Sequence, residues 1–384
     1  MRDETMPDDA TMTAATTNWT DAARRIAGEI AGHAARHDAE DSFVAEAYAL
    51  MKQAGLFKAH VPAELGGGGA SYAEICEVVR TLAAACGSTG LAFAMHTHIV
   101  ALAVWRRAHE GAPTEGLLKR IAAEDLVLVS SGGSDWLQGS GHAEKVEGGF
   151  RITARKVFAS GSPAGDLIST CAVHDDPETG PTVLHFFAPL KAEGFRSLDT
   201  WRTLGMRGTG SNDLEMDGVF VPDAAISGRR PQGAWHPLFH AISMIAFPII
   251  YSAYLGVADG ARATALALVR GKAADDSLVL SVGEMETEHV ACETAVAEMV
   301  RIVETQRPGP ETTGRTMTLR QLAGQAAIRT VERALEAAGG RAFYRSAGLE
   351  RAFRDVQAAR FHPLQEKPQR LFAGRLALGL DIDG

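Results

Sequence analysis

The sequence predicts an α+β protein in which helices come first, strands second and helices again last. Three observations carry this. Apolar residues recur at helical spacing over 19–107; short runs rich in Val, Phe and Ile occupy 126–221; long apolar helical stretches return after His236. Segregated elements of this kind pack as separate units, not as the alternating β/α units of a Rossmann sheet.

The 384 residues exceed what a single core usually supports. The expected divisions are an acidic tail over 1–18, a helical domain over 19–125, a β domain over 126–232 and a second helical domain over 233–384. In the first helical domain, Ala22, Ile26, Ile30 and Ala34 define one face, and Phe43, Ala47, Leu50 and Met51 another. Pro62 and the glycine run 66–69 interrupt the pattern. Ser71 has the position of an N-cap, with Glu74 as its capping-box partner. Strands are expected over 126–129, 150–152, 167–173, 183–187 and 214–221, forming an antiparallel β domain closed by Pro222 and Pro231. Helices follow over 242–269 and 277–303. The segment 307–315, with two Pro and two Gly, reads as a linker. Helical spacing then continues to Gly339 and Gly340, a C-cap, and two shorter helices cover 349–361 and 371–380.

Composition narrows the function classes. The net charge of −9 disfavours a nucleic-acid binder. No run of about 18 apolar residues predicts a membrane span, and the polar start lacks the features of a signal peptide. The four cysteines, Cys76, Cys86, Cys171 and Cys292, are far apart, so free thiols in a reducing cytoplasm are expected rather than a metal or disulfide framework. There is no Walker loop, H-E-x-x-H or G-x-S-x-G. His96 and His98 lie two apart on a helix and cannot share a metal.

Four segments carry a specific signal in order: Pro62-Ala63-Glu64-Leu65-Gly66-Gly67; Ser130-Ser131-Gly132-Gly133-Ser134-Asp135, followed by Lys156-Val157-Phe158-Ala159-Ser160-Gly161; Gly205-Met206-Arg207-Gly208-Thr209 leading to Val221-Pro222; and Gly339-Gly340, then Glu350-Arg351 and Arg354-Asp355. Over roughly 20–380 this order resembles the acyl-CoA dehydrogenase superfamily. The resemblance implies a middle antiparallel β-barrel, a C-terminal four-helix bundle, a homotetramer and a bound flavin, either FAD or FMN. It implies that Ser130, Ser131, Ser134, Ser160, Gly161, Trp201, Arg207, Gly339 and Gly340 contact the cofactor, with Ser160 near flavin N5. Backbone N–H groups and hydroxyls in Gly/Ser-rich loops suit the polar edge of such a ring.

The sequence departs from the dehydrogenase pattern where the catalytic base belongs. Eight residues after Asp355, where that pattern has Glu, stands Pro363; at the alternative position, Ala246, there is no acid. Glu366 serves only if its loop is three residues longer. The motif Arg that helps hold FAD is replaced near Arg270-Gly271-Lys272, and Glu336 stands for a Gln. These departures resemble the superfamily's two-component flavin monooxygenase branch, which receives reduced flavin from a partner reductase. There the resemblance assigns catalytic roles to His362 and to His96, with His98 as the other choice. A C4a-hydroperoxyflavin needs a dry pocket and a proton donor, a task for imidazole. Two alternatives stand beside this reading: an FAD-dependent acyl-CoA dehydrogenase acting on a thioester with a non-standard base, and a catalytically inactive binding relative. Arg354 and Asp355 read as an architectural ion pair.

Overall fold

A computed structural model describes residues 17–131, 133, 135–271 and 275–383. Five helices come first: α1 (Trp19–Glu40), α2 (Ala45–Gln53), α3 (Tyr72–Ala85), α4 (Gly87–Glu110) and α5 (Glu115–Glu124). The expected tail lies outside the described residues except for Thr17 and Asn18, and Asn18 caps α1 by accepting from the Asp21 N–H. Ser71 caps α3, its Oγ accepting from Glu74 N at 3.1 Å. Glu74 does not complete a capping box. Its carboxylate accepts from Trp19 N at 2.9 Å and ties the start of α1 to α3. Gly68 permits this junction, because a Cβ there would lie 2.2 Å from the Trp19 ring.

The middle region is a mixed, open sheet and not the expected antiparallel barrel. Its strands are β1 (Leu128–Ser130), β2 (His142–Val146), β3 (Gly149–Ala159), β4 (Leu167–Asp176), β5 (Gly180–Pro189), β6 (Phe195–Ser197), β7 (Asn212–Pro222) and β8 (Ile226–Pro231). Their order is β6-β7-β3-β2-β4-β5-β8, with β1 added beside β4. The β1–β4 and β2–β4 contacts are parallel, and β6 and β8 remain edges. Strands β2, β6 and β8 escape sequence reasoning because they are short, polar or at an edge, with burial too irregular to leave a period-two signal. The sheet has its own core, which includes Phe150, Ile152, Ile168, Leu184, Phe186 and Val219.

Three long helices follow, α6 (Pro237–Val269), α7 (Asp276–Thr305) and α8 (Pro310–Ala338), then α9 (Leu349–Val356) and α10 (Glu366–Ala377). The expected linker over 307–315 is mostly helix. Pro310 occupies the first turn of α8, where its missing N–H costs nothing. In the C-terminal region the three long helices pack on one another, α9 packs on α6 and α8, and α10 on α8; α3 and α4 of the N-terminal region also pack on α6. Helices α4 and α6 are long and apolar enough to cross a bilayer, yet 78% and 94% of their most apolar windows are buried inside the protein. They are core helices. Gly339, with φ +64, ends α8 as expected.

The loop 201–211 closes against α9 where Gly205 leaves room: a Cβ there would lie 2.2 Å from Arg354 O and 2.6 Å from Asp355 N. Both obstacles are at the backbone and cannot swing aside. Gly205→Ala is therefore expected to cost about 1–3 kcal/mol, read as a lowered melting temperature. An unchanged melt would show that this loop packs loosely.

Candidate active site

Sheet, α4, α6 and the 357–363 segment meet around a cavity of about 510 Å³. Strand β1 delivers Ser130 and leads into Ser131, β3 leads into Ser160, β4 brings Thr170 and Cys171, and β5 brings His185. The 201–211 loop adds Trp201 and Ser211. Helix α4 contributes Met95, His98 and Leu102, α6 contributes Phe239, Phe247 and Tyr254, and His362 comes from the segment after α9. The walls are mainly aliphatic and aromatic, with hydroxyls and imidazoles at intervals.

The hydroxyls form a directed chain. Thr209 Oγ1 donates to Met206 O at 2.9 Å. Its oxygen meets Ser211 Oγ at 2.6 Å, and Ser211 Oγ meets Ser160 Oγ at 2.7 Å. A hydroxyl has one proton. With the Thr209 proton on that carbonyl, the arrangement that fits has Ser211 donating to Thr209 and Ser160 donating to Ser211. That arrangement presents Ser160 to the cavity as an acceptor. Trp201 is fixed beside this chain by donating from Nε1 to Met206 O at 2.9 Å, and its ring packs on Phe158 at 5.0 Å. Met206 itself adopts a left-handed backbone, φ +54, and its N–H donates to Asp355 Oδ1 at 2.5 Å.

Three histidines line the cavity. His362 Nε2 lies 2.6 Å from Tyr254 Oη. Burial raises the Tyr254 hydroxyl far above its ordinary pKa, so it keeps its proton. Burial, with the nearby Arg320, pushes His362 down to about 3. The neutral pair is consistent with the Tyr254 O–H donating to Nε2, which leaves the imidazole proton on Nδ1. Fully buried Arg320 holds the segment by donating to His362 O at 2.8 Å and Pro363 O at 3.1 Å. His98 Nε2 is 3.3 Å from Ser130 Oγ, and burial lowers its pKa to about 4. His185 was missed in the sequence because nothing near it in the chain marks it; only the strand alternation of β5 brings it to this face.

Other expected residues sit elsewhere. His96 does not line the cavity. Its Nε2 meets Phe57 O at 2.8 Å and its Nδ1 accepts from Leu128 N at 3.0 Å, so both nitrogens serve backbone groups and the residue staples α4 to β1. Arg207 also lies outside: it donates to Thr203 O at 2.9 Å and faces Asp41 at 3.6 Å. Gly161, φ +78, shapes the turn after β3, and a Cβ there would lie 2.7 Å from Tyr48 Oη. Gly339 and Gly340 line a separate shallow depression with Phe343 and Phe353. Ser134 lies outside the described residues. Arg354 pairs with Asp38 and Glu350 rather than with Asp355; Asp355 instead caps Met206 N, and burial raises its pKa to about 6.

Among the described residues the only carboxylate lining the cavity is Asp135, and it is bound to buried Lys156 Nζ at 2.8 Å. Glu366 starts α10, pairs with Arg370 and does not reach the cavity.

Burial depresses the pKa of several histidines and makes stability sensitive to acid; the four lowest are His96 and His98 at about 4 and His185 and His362 at about 3. The unfolded chain takes up these protons near pH 6.5, whereas the folded chain refuses them until pH 4 or below. Stability is present above 6.5 and is lost as pH falls through that value, on the order of 1–2 kcal/mol per histidine between pH 6.5 and 5. Asp355 acts in the opposite sense over about pH 4–6 and offsets roughly one of them. Thermal melts from pH 7 to pH 5 should show a clear net fall; a rise would contradict the assigned burial.

Comparison with known proteins places the chain in a family. Residues 13–124 match the N-terminal domain of acyl-CoA dehydrogenases and residues 249–366 match their C-terminal domain. The chain belongs to the acyl-CoA dehydrogenase superfamily. Within this superfamily it is 27% identical over 352 residues to dibenzothiophene monooxygenase of Mycolicibacterium goodii, covering 81% of this chain and 82% of that one. It is 31% identical over 220 residues to a pigment production hydroxylase of Rhodococcus sp., a match spanning only 54% of that relative's length and 53% of this chain. Among solved structures, KijD3 in complex with FMN and a dTDP-linked amino sugar superposes with a TM-score of 0.87 at 24% identity, over 97% of each chain.

Proposed function

We propose that this chain is a flavin-dependent monooxygenase that takes up reduced flavin from a separate reductase and uses dioxygen to oxygenate a small, largely apolar substrate. The observation that carries this is the polarity of Ser160. The hydroxyl chain leaves it as an acceptor, and an acceptor suits a flavin whose N5 bears hydrogen, which is the reduced form. Hydroxyls of Ser130, Ser131 and Ser160 beside the Trp201 and Phe158 rings fit a flat ring with one polar edge; FMN and FAD share that ring. A reduced flavin bound there supplies the electron pair for oxygen activation.

The chain's own side chains do the rest. Apolar side chains of α4 and α6, among them Met95, Leu102, Phe239 and Phe247, line the cavity and would keep water from a bound flavin. His362, steadied by Tyr254 and by Arg320 through its backbone, presents a neutral N–H donor, and His98 provides a second imidazole across the cavity. α-Proton abstraction from an acyl thioester needs a free carboxylate, and Asp135 is committed to Lys156. The homotetramer belongs to the same proposal and is supported by exposed Phe343 and Tyr344, 91% and 67% accessible in the single chain; light scattering tests it.

The binding test compares oxidised and reduced FMN under anaerobic conditions. The chain should hold the reduced form more tightly by about tenfold or more. Ser211→Ala frees the Ser160 proton and should narrow that ratio. Equal affinity for both forms in the wild type would overturn the reading.

A further inference from the structure

We propose that His185 and Arg230 form a substrate-binding pair, built for a flat apolar ring that carries one electron-rich oxygen, of which a phenol is the simplest case. As a substrate site it rests on the monooxygenase reading.

Strand pairing brings the two residues together. Strand β5 lies between β4 and β8, which sets His185 opposite Cys171 on one side and Gly228 on the other. Two residues beyond Gly228, Arg230 turns its side chain inward and is only 2% exposed. Its Nε donates to His185 Nε2 at 3.0 Å, Nη1 donates to Leu137 O at 2.5 Å and Pro231 O at 3.2 Å, and Nη2 donates to Trp136 O at 3.1 Å. The guanidinium lies 4.6 Å from the centre of the Phe239 ring.

These bonds settle the tautomer of His185. A guanidinium only donates, so Nε2 must be the bare nitrogen and Nδ1 must carry the proton. Nδ1–H has no partner among the described residues, and His185 lines the cavity. Burial and the adjacent guanidinium push its pKa down to about 3, which keeps the ring neutral.

The charge behind it has no counter-ion. Among the described residues no carboxylate pairs with Arg230 or with buried Arg320, which backbone carbonyls hold, whereas buried Lys156 is neutralised by Asp135. A buried positive charge without a counter-ion is costly. Here it bears directly on Nε2, polarises the Nδ1–H bond, and favours an acceptor with negative charge. The surroundings define the rest of the ligand. Trp136 lies 4.8 Å from Phe239 and 6.4 Å from Phe247, and His185 lies 6.3 Å from Phe239, ring centre to ring centre. All four line the cavity. Aromatic faces on several sides accept a planar ring, and one polarised donor accepts one oxygen.

The experiment measures binding of para-nitrophenol and nitrobenzene to the full chain, in wild type and in His185→Phe, with FMN affinity measured in parallel. The two probes share ring size and differ in the acceptor oxygen, and the phenol reports its ionisation by its own absorbance. The wild type is expected to prefer para-nitrophenol by about tenfold and to shift its spectrum toward the phenolate. His185→Phe should abolish the preference without changing FMN affinity, and His185→Gln, which keeps an N–H donor, should retain part of it. Equal binding of the two probes by the wild type overturns the proposal, and that comparison stands even where a variant does not fold. A loss of FMN affinity in His185→Phe matching the loss of phenol would also overturn it, by assigning the corner to the cofactor. Binding is read without turnover, so a wild type that prefers the phenol yet never oxygenates a ring compound leaves the subsite intact and sinks the monooxygenase reading instead.

Discussion

Replacing His362 with alanine is expected to lower product formation by about 10²- to 10⁴-fold, the range found when a positioned acid–base group is removed. The expectation follows from the side chain's setting. Its Nε2 is held at 2.6 Å by the Tyr254 hydroxyl, its own carbonyl and that of Pro363 are gripped by Arg320, and its ring lines the cavity. Burial and the nearby Arg320 push its pKa down to about 3, so it is expected to act as a neutral donor, and the rate should show no limb near pH 6.5 from this group. Tyr254→Phe keeps the ring packing but loses the bond to Nε2, and it should lower turnover with less effect on flavin affinity. Rapid-mixing measurements with reduced FMN read the rate, and fluorescence titration with FMN checks that the site survives. Unchanged product formation in His362→Ala would remove this residue from the chemistry.

The second large effect concerns stability. Lys156→Met should destabilise the protein by about 3–5 kcal/mol, because it strips the cation from a buried carboxylate. Lys156 is fully buried and Asp135 is 5% exposed; the ammonium also donates to Ser140 O at 2.7 Å and Ser140 Oγ at 2.9 Å. One charge therefore pins both ends of the 135–140 segment, which carries Trp136 into the cavity. Changing both partners, as Lys156→Met with Asp135→Leu, should recover much of the loss, since a buried ion pair exchanged for apolar groups is often neutral. Chemical denaturation of the four proteins in this cycle gives the coupling directly. Additive losses would mean that the two charges act independently.

How much was legible beforehand depended on whether chemistry lay along the chain or across it. The order of helices, strands and helices followed from periodicity, and Ser71 and Gly339 marked helix ends because caps are local events. The open, mixed sheet was not legible. Whether β1 runs parallel to β4, and whether the outer strands meet, depends on long-range pairing that alternating residues do not encode. Which of His96 and His98 lines the cavity was not legible for a different reason. Helix α4 is buried on nearly all sides, so its hydrophobic pattern has no phase that separates the residue facing the cavity from the one facing β1. The roles of Arg207, Gly339 and Gly340 came only from the motif order, and the fold puts all three outside this cavity. His185 and Arg230, 45 residues apart, meet through strand pairing alone.

The central claim is that this cavity couples reduced flavin to oxygen transfer without a catalytic carboxylate. The most direct measurement mixes the protein with reduced FMN and isotopically labelled dioxygen over a panel of apolar ring compounds, phenol and indole among them, and weighs the products. Labelled oxygen is expected in a ring product, formed only when reduced flavin is supplied. No labelled product across the panel, together with anaerobic bleaching of bound FAD by octanoyl-CoA, would contradict that claim.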